Sequence, residues 1–311
     1  MSAYEVDLKE LLEAGCHFGH QARRWNPKMK KFIYVQRDGV HIFDLVKTGT
    51  NLEAAMEYVR DTVRAGKEVV FVGAKRQAKA IVREEATKAG APFVTERWLG
   101  GMLTNWDEME KRLKKLAKLK KQRESGDLSG YTKKERVIID KEIARLDRFF
   151  GGIAHLTRRP DALFIVDTHR EASAVLEANK VGAKVLGMVD SNADPSKVDF
   201  PIPVNDDAVR SIKLVVEKVA QAYADGKTMR AKEMPKVEEK PSSAKATEGQ
   251  GKAENKDEAS RVVTAATEAK KEVNPAFAKV AQAIKPKKVV KPTDTKKKAT
   301  KKKAVPVKRK K

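Results

Sequence analysis

Five cations crowd the segment from Arg23 to Lys31: Arg23, Arg24, Lys28, Lys30 and Lys31, set around Trp25 and the turn Asn26-Pro27. Guanidinium and ammonium groups neutralise phosphates, and an indole can stack on a base or on an arginine. The chemistry such a set can perform is therefore recognition of a nucleic-acid backbone, with Trp25 reading more simply as a core residue. A second basic set runs from Lys111 to Arg123, eight Lys or Arg in thirteen positions, with no acid between Glu110 and Glu124. So one-signed a run on a helix has no internal ion pairing within it. It points Lys111, Arg112, Lys114, Lys115 and Lys118 at phosphates.

Gly73-Ala74-Lys75-Arg76-Gln77 follows an apolar strand and precedes a helix. Backbone amides with Lys75 and Arg76 could hold a phosphate there. That would suit an RNA contact or, as the alternative, a nucleotide- or sugar-phosphate-binding enzyme. The spacing matches neither the Gly-x-Gly-x-x-Gly fingerprint nor the Walker loop. Asp190, Asp194, Asp199, Asp206 and Asp207 gather near strand ends, where paired carboxylates can hold Mg²⁺. Most are better explained as turn and helix-start residues, and no nucleophile–base pair accompanies them. Cys16-His17-Phe18-Gly19-His20 offers three soft or borderline ligands, short of the four that a structural zinc needs, so neither metal nor cofactor is expected. Glu96 to Trp106 holds two of the three tryptophans around Gly100-Gly101. It reads as a tight turn under large apolar side chains, with Arg97 and Asn105 as further RNA-contact candidates.

The elements that must position these groups alternate. Short apolar runs at Glu68–Val72, Phe93-Val94, Ala162–Val166, Val185–Val189 and Ile202–Val204 read as strands covered on both faces. Helical spacing marks 51–65, 75–89, 171–180 and 206–224. This is an α/β layer arrangement with a doubly wound parallel sheet, the body occupying 1–105 and 151–228. Phe32–Val35 and Val40–Phe43 flank Arg37-Asp38-Gly39 and predict a β-hairpin near 32–43. Residues 106–150 interrupt the sheet. Trp106, Met109, Leu113, Leu116 and Ile139, Ile143, Leu146, Phe150 form two apolar seams joined by a Ser/Gly-rich loop, which predicts a protruding antiparallel coiled-coil hairpin.

Over 311 residues the net charge is +23, so a polyanion is the default partner. The C-terminal stretch differs in kind: from Lys285 onward there are 14 basic residues and a single acid, Asp294. A Lys/Ala/Pro-rich composition with Phe277 as its one aromatic predicts disorder over 229–311, with a transient helix at 275–284. The N-terminus lacks the apolar core of a signal peptide, no run reaches a membrane span, and the lone Cys16 excludes an internal disulfide. A cytoplasmic location with no membrane partner is expected.

Leu11–Gly15, His17-Phe18-Gly19-His20, Arg23–Lys30, Phe71–Ala78, Glu96–Asn105, Pro160–Leu163, Glu177–Lys180 and Asn205–Ala208 together resemble, in order, the bacterial small-subunit ribosomal protein two family. The Trp-Leu-Gly-Gly-Met-Leu-Thr-Asn form looks bacterial. The resemblance implies a flavodoxin-like fold with a coiled-coil hairpin, a non-catalytic structural role in the small subunit, and contacts to its ribosomal RNA. It also implies contacts to neighbouring proteins, including recruitment of the mRNA-binding ribosomal protein one. Two features depart from the family pattern: Cys16 stands where an aliphatic residue is more usual, and the lysine-rich tail is not a family constant.

Overall fold

A computed structural model describes residues 4–233; the expected disordered tail beyond them, with its helix at 275–284, lies outside the described residues. The main sheet has five parallel strands in the order β5-β4-β6-β7-β8, with β4 at Val69–Val72, β5 at Phe93–Val94, β6 at Ala162–Ile165, β7 at Lys184–Val189 and β8 at Phe200–Pro203. Counted along the sheet alone this is the 2-1-3-4-5 order of flavodoxin-like folds, whose ligand crevice lies where the order reverses, at the carboxyl ends of the strands.

Both faces of the sheet are covered, and successive residues of a strand serve opposite sides. Val69 and Phe71, Ala162 and Phe164, and Leu186 and Met188 join one core, packed under α2 (Leu45–Arg64), α3 (Lys79–Ala89) and α7 (Val209–Glu233). Val70 and Val72, Leu163 and Ile165, and Val185 and Val189 join the other. That second core also takes Ala174, Val175 and Ala178 of α6 (Ala172–Val181) and Met29, Phe32 and Phe43 from the N-terminal region. Continuous apolar strands are what this two-sided burial demands.

Two helices, α4 (Trp106–Glu124) and α5 (Lys133–Phe150), interrupt the alternation between β5 and β6, as the apolar seams require. Met109, Leu113 and Leu116 meet Ile143, Leu146 and Phe150 in the second core, and Lys115–Glu142 and Lys120–Asp147 ion pairs bridge the two helices. Thr132 starts α5 with a capping box completed by Glu135.

A small antiparallel sheet precedes this body, after the short α1 (Leu8–Glu13): β1 (Phe18–Gln21), β3 (Val40–Phe43) and β2 (Ile33–Arg37), in that spatial order. The expected hairpin is β2–β3. Asp38 and Gly39 both have positive φ, 52° and 77°, the conformation an Asp-Gly hairpin turn takes. The strand β1 was not expected from the sequence, since Phe18-Gly19-His20-Gln21 alternates weakly.

Helix α7 begins at Val209 rather than 206, so Asp206 and Asp207 precede it, and three further boundaries differ from expectation, each for a local reason. Helix α2 begins at Leu45 rather than 51 because the Asp44 carboxylate accepts a hydrogen bond from the Val46 N–H and caps it. The turn at 75–78 delays α3 to Lys79. Helix α7 runs to Glu233, past position 229 where the tail was expected to start. Gly226 does not end it, because the glycine lies against α2: a Cβ there would meet the Arg60 carbonyl oxygen at 2.5 Å. The Arg64–Glu233 ion pair closes the same contact.

Candidate nucleic-acid interface

The basic segment before β2 is held by its uncharged residues, which leaves its charges outside. Asn26 donates its backbone N–H to the Ser191 carbonyl at 2.7 Å, its side chain accepts from the Lys28 N–H at 3.0 Å, and Pro27 opens a short 3-10 turn over Pro27–Phe32. Met29 is fully buried beneath that turn. Trp25 is half-buried, its ring 5.1 Å from that of His41. Arg23, Arg24, Lys30 and Lys31 are exposed and form no salt bridge among the described residues. Lys28 is exposed but spoken for: its Nζ lies 2.8 Å from both Asp194 Oδ2 and Ser196 Oγ. That contact, with help from Ser196, holds the Asp194 carboxyl down at about 2.

Lys75 is drawn inward, which corrects its expected place among the RNA contacts. It is 6% exposed, and its ammonium lies 2.6 Å from Asp207, 2.8 Å from Asp206 and 3.2 Å from Asp167. These groups stand at the carboxyl ends of β4, β6 and β8, in the crevice where this fold class places ligands. The N-terminal region completes the network. His20 Nδ1 is 3.0 Å from Asp190, its Nε2 is 3.4 Å from Asp207, and its backbone N–H donates to Ser191 Oγ and Asp190. Gly19 allows that approach, since a Cβ there would stand 3.0 Å from Ser191 Oγ. Burial lowers the ammonium's proton affinity, yet the carboxylates, Asp206 first, outweigh it and raise the Lys75 pKa. Burial, reinforced by Asp167 and Asp190, pushes Asp206 up to about 7 against the pull of Lys75. The hydrogen bond to Asp190 raises His20. His20, Asp190 and Asp206 present ligand atoms within 4.8 Å of one another, a convergence hidden in the sequence, where the histidines and aspartates stand far apart. Lys75 already supplies a positive charge there.

The turn around Gly100-Gly101 is organised by Glu177 of α6. One carboxylate oxygen accepts from the Trp98 indole at 3.2 Å and the Gly101 N–H at 2.8 Å. The other accepts from the Leu103 and Thr104 N–H groups and the Thr104 hydroxyl at 3.0 to 3.2 Å. Burial raises the Glu177 carboxyl, but these donors together hold it below its usual range. Trp98 is buried, so the tryptophan packs rather than binds, while Arg97 and Asn105 at the ends of the loop are exposed. Glu177 was missed in the sequence; its one signal is an acid placed beside the apolar helix face of Ala174, Val175 and Ala178.

The lysine run on α4 is less free than its sequence implies. Lys111 pairs with Glu108 and Lys114 with Glu110 inside the helix, and Lys115 reaches Glu142 of α5. The expectation that the run has no internal ion pairing fails because Glu108 and Glu110 reach it from the preceding turn of α4, and the fold adds Glu142 from α5. Arg112 and Lys118 are exposed without a salt bridge among the described residues, as is Arg76 beside the buried Lys75. One exposed aromatic was also missed. Tyr34 of β2 is 76% exposed, and the pairing of β2 with β3 skips a residue between Ile33 and Val35, which makes Tyr34 the extra residue of a bulge. No helix among the described residues is long and apolar enough to cross a membrane.

The family model described as ribosomal protein S2 matches residues 11–226. A protein of Coprothermobacter proteolyticus is 51% identical over 222 residues, covering 71% of this chain and 83% of its own length. One of Roseiflexus sp. (strain RS-1) is 51% identical over 225 residues, 72% of this chain and 86% of that protein. One of Prochlorococcus marinus (strain AS9601) is 47% identical over 222 residues, 71% and 95% respectively. Each of the three is a small ribosomal subunit protein uS2.

Proposed function

The chain belongs to the ribosomal protein S2 family, and from that premise we propose that it is a structural, non-catalytic constituent of the bacterial small ribosomal subunit, acting in translation. Its relatives are named small ribosomal subunit proteins, at about half identity over nearly the whole described body.

We further propose that it binds small-subunit ribosomal RNA through Arg23, Arg24, Lys30, Lys31, Arg76, Arg97, Asn105, Arg112 and Lys118, with Lys28, Lys111, Lys114 and Lys115 as partly neutralised contributors. The supporting observation is the segment Arg23–Lys31: its backbone is fixed by Asn26 and Met29 while most of its charges stay in solvent. Fixed, exposed and unpaired cations lose little on meeting a phosphate. The body of 1–105 and 151–233 would supply shape and specific contacts. The α4–α5 insertion would protrude as a coiled-coil hairpin, the basic segment beyond 233 would add sequence-independent attraction, and neighbouring proteins, protein one among them, would dock on the assembled surface. The nucleotide-enzyme alternative loses Lys75 as a phosphate ligand, because three aspartates engage it.

Sedimentation of cell lysate through sucrose at moderate and high salt tests this proposal. Co-migration with small subunits that survives the high-salt wash is the expected result. A free peak at both salts would overturn it. In purified form, affinity for small-subunit RNA should fall with salt at a log–log slope of roughly −0.7 to −0.9 per phosphate neutralised.

A further inference from the structure

Strand β2 is the most exposed strand among the described residues. It is an edge strand with four exposed residues in a row, Tyr34 to Arg37, and its outer side pairs with no strand among the described residues. Tyr34 is the largest of them. It is 76% exposed and makes no ring contact among the described residues. A single exposed aromatic on a surface is ordinary; this one sits at a bulge. The register passes from Ile33 opposite Phe43 to Val35 opposite Ile42, so two residues advance on β2 while one advances on β3, and Tyr34 is left out of the ladder. Bulges redirect a side chain and locally end strand pairing.

From this we infer that Tyr34 is an RNA-binding residue, its ring stacking on an unpaired nucleotide of the small-subunit RNA. The inference rests on the RNA-binding role proposed above and names a ring contact that the cations alone do not supply. The surroundings fit a polyanion. Lys30 and Lys31 precede the ring and Arg37 follows it by three residues, about 10 Å at the usual strand rise, with Asp38 the nearest acid in sequence. Lys31 is already oriented, its Nζ lying 4.8 Å from the centre of the Phe32 ring. A protein strand added to the β2 edge is the competing occupant. It needs a straight row of free backbone groups, and the bulge interrupts that row.

The test is equilibrium binding of the full chain to purified small-subunit RNA over a salt series, for the wild type and the variants Tyr34→Ala and Tyr34→Trp. Removing the stacking ring by truncation to alanine is expected to weaken binding roughly five- to 150-fold. The salt slope should stay unchanged, because no phosphate contact is removed, and Tyr34→Trp should bind at least as well as the wild type. Ultraviolet cross-linking of the complex should leave a nucleotide adduct on the peptide that holds Tyr34. Because the side chain is exposed, melting of Tyr34→Ala should match the wild type, which separates a binding loss from unfolding. Equal affinity of Tyr34→Ala and wild type would overturn the inference and leave the RNA-binding role standing. Cross-links from Tyr34 to protein alone in assembled subunits would do the same. A wild type that fails to bind the RNA at any salt would overturn both.

Discussion

Lys75 and Arg24 share a charge, and both lie in stretches that read as phosphate ligands, yet the fold puts them to opposite uses. Lys75 is enclosed at the strand ends, 6% exposed among three carboxylates. Arg24 stands in solvent on a segment whose neighbours hold it in place. The difference is desolvation. An ammonium taken out of water must find its counter-charge inside the protein, and once it has done so it is a structural part. An exposed guanidinium keeps its water until a ligand displaces it, so little stability depends on it.

The sharpest break in this comparison is Lys75→Ala. It strands Asp206 and Asp167 in the interior and should cost about 3–5 kcal/mol in urea unfolding, whereas Arg24→Ala should change stability by no more than about 0.5 kcal/mol. Equal, small losses would show that the interior network is not structural. Next comes Glu177→Ala, which orphans the donors of the Gly100-Gly101 turn and should cost about 1–3 kcal/mol, with faster amide exchange at Gly101, Leu103 and Thr104 as the local signature.

A smaller effect is expected from pH. Asp206 is raised to about 7, so below that pH the folded state holds a proton that the unfolded chain releases; its contribution to stability declines as pH rises towards 7. His20 is raised as well, so its contribution is complete below its ordinary range and is lost as pH climbs through the folded value. Both signs agree: the melting temperature should fall from pH 6 to 8, and Asp206→Asn should flatten that fall. A rise over the same range would contradict the network as described. The smallest change in stability belongs to Arg23→Ala with Arg24→Ala. Melting should be unchanged, while the salt slope of RNA binding shrinks by roughly 0.7–0.9 for each phosphate no longer neutralised. An unchanged slope would remove these two arginines from the interface.

Much of this was legible in the residues. The sheet announced itself because two-sided burial requires uninterrupted apolar strands, and the helical insertion because its seams repeat at three and four. Asp38-Gly39 marked its own turn. What could not be read were pairings across long separations. Nothing near Lys75 in sequence foretells Asp167 and Asp206, and nothing near Lys115 foretells Glu142, so each basic run looked freer than it is. The tryptophans misled in a milder way: Trp98 anchors a loop through Glu177, 79 positions away. Tyr34 escaped notice because a bulge is a property of register between two strands, and the composition of one strand does not encode it.

The His20 backbone hydrogen bonds to Asp190 and Ser191 span 170 and 171 positions, and the neighbouring Asn26 N–H is bound to the Ser191 carbonyl. A chain made from its N-terminus at about 5–20 residues per second waits on the order of 10–30 s before those partners exist. The small N-terminal sheet is therefore among the first parts synthesised and among the last that can be finished. Contacts of such long separation also slow folding in general. During that interval the arginines and lysines of 23–31 lack the scaffold that later fixes them, and free RNA or a chaperone could meet them first. The order of manufacture thus runs against the order of assembly.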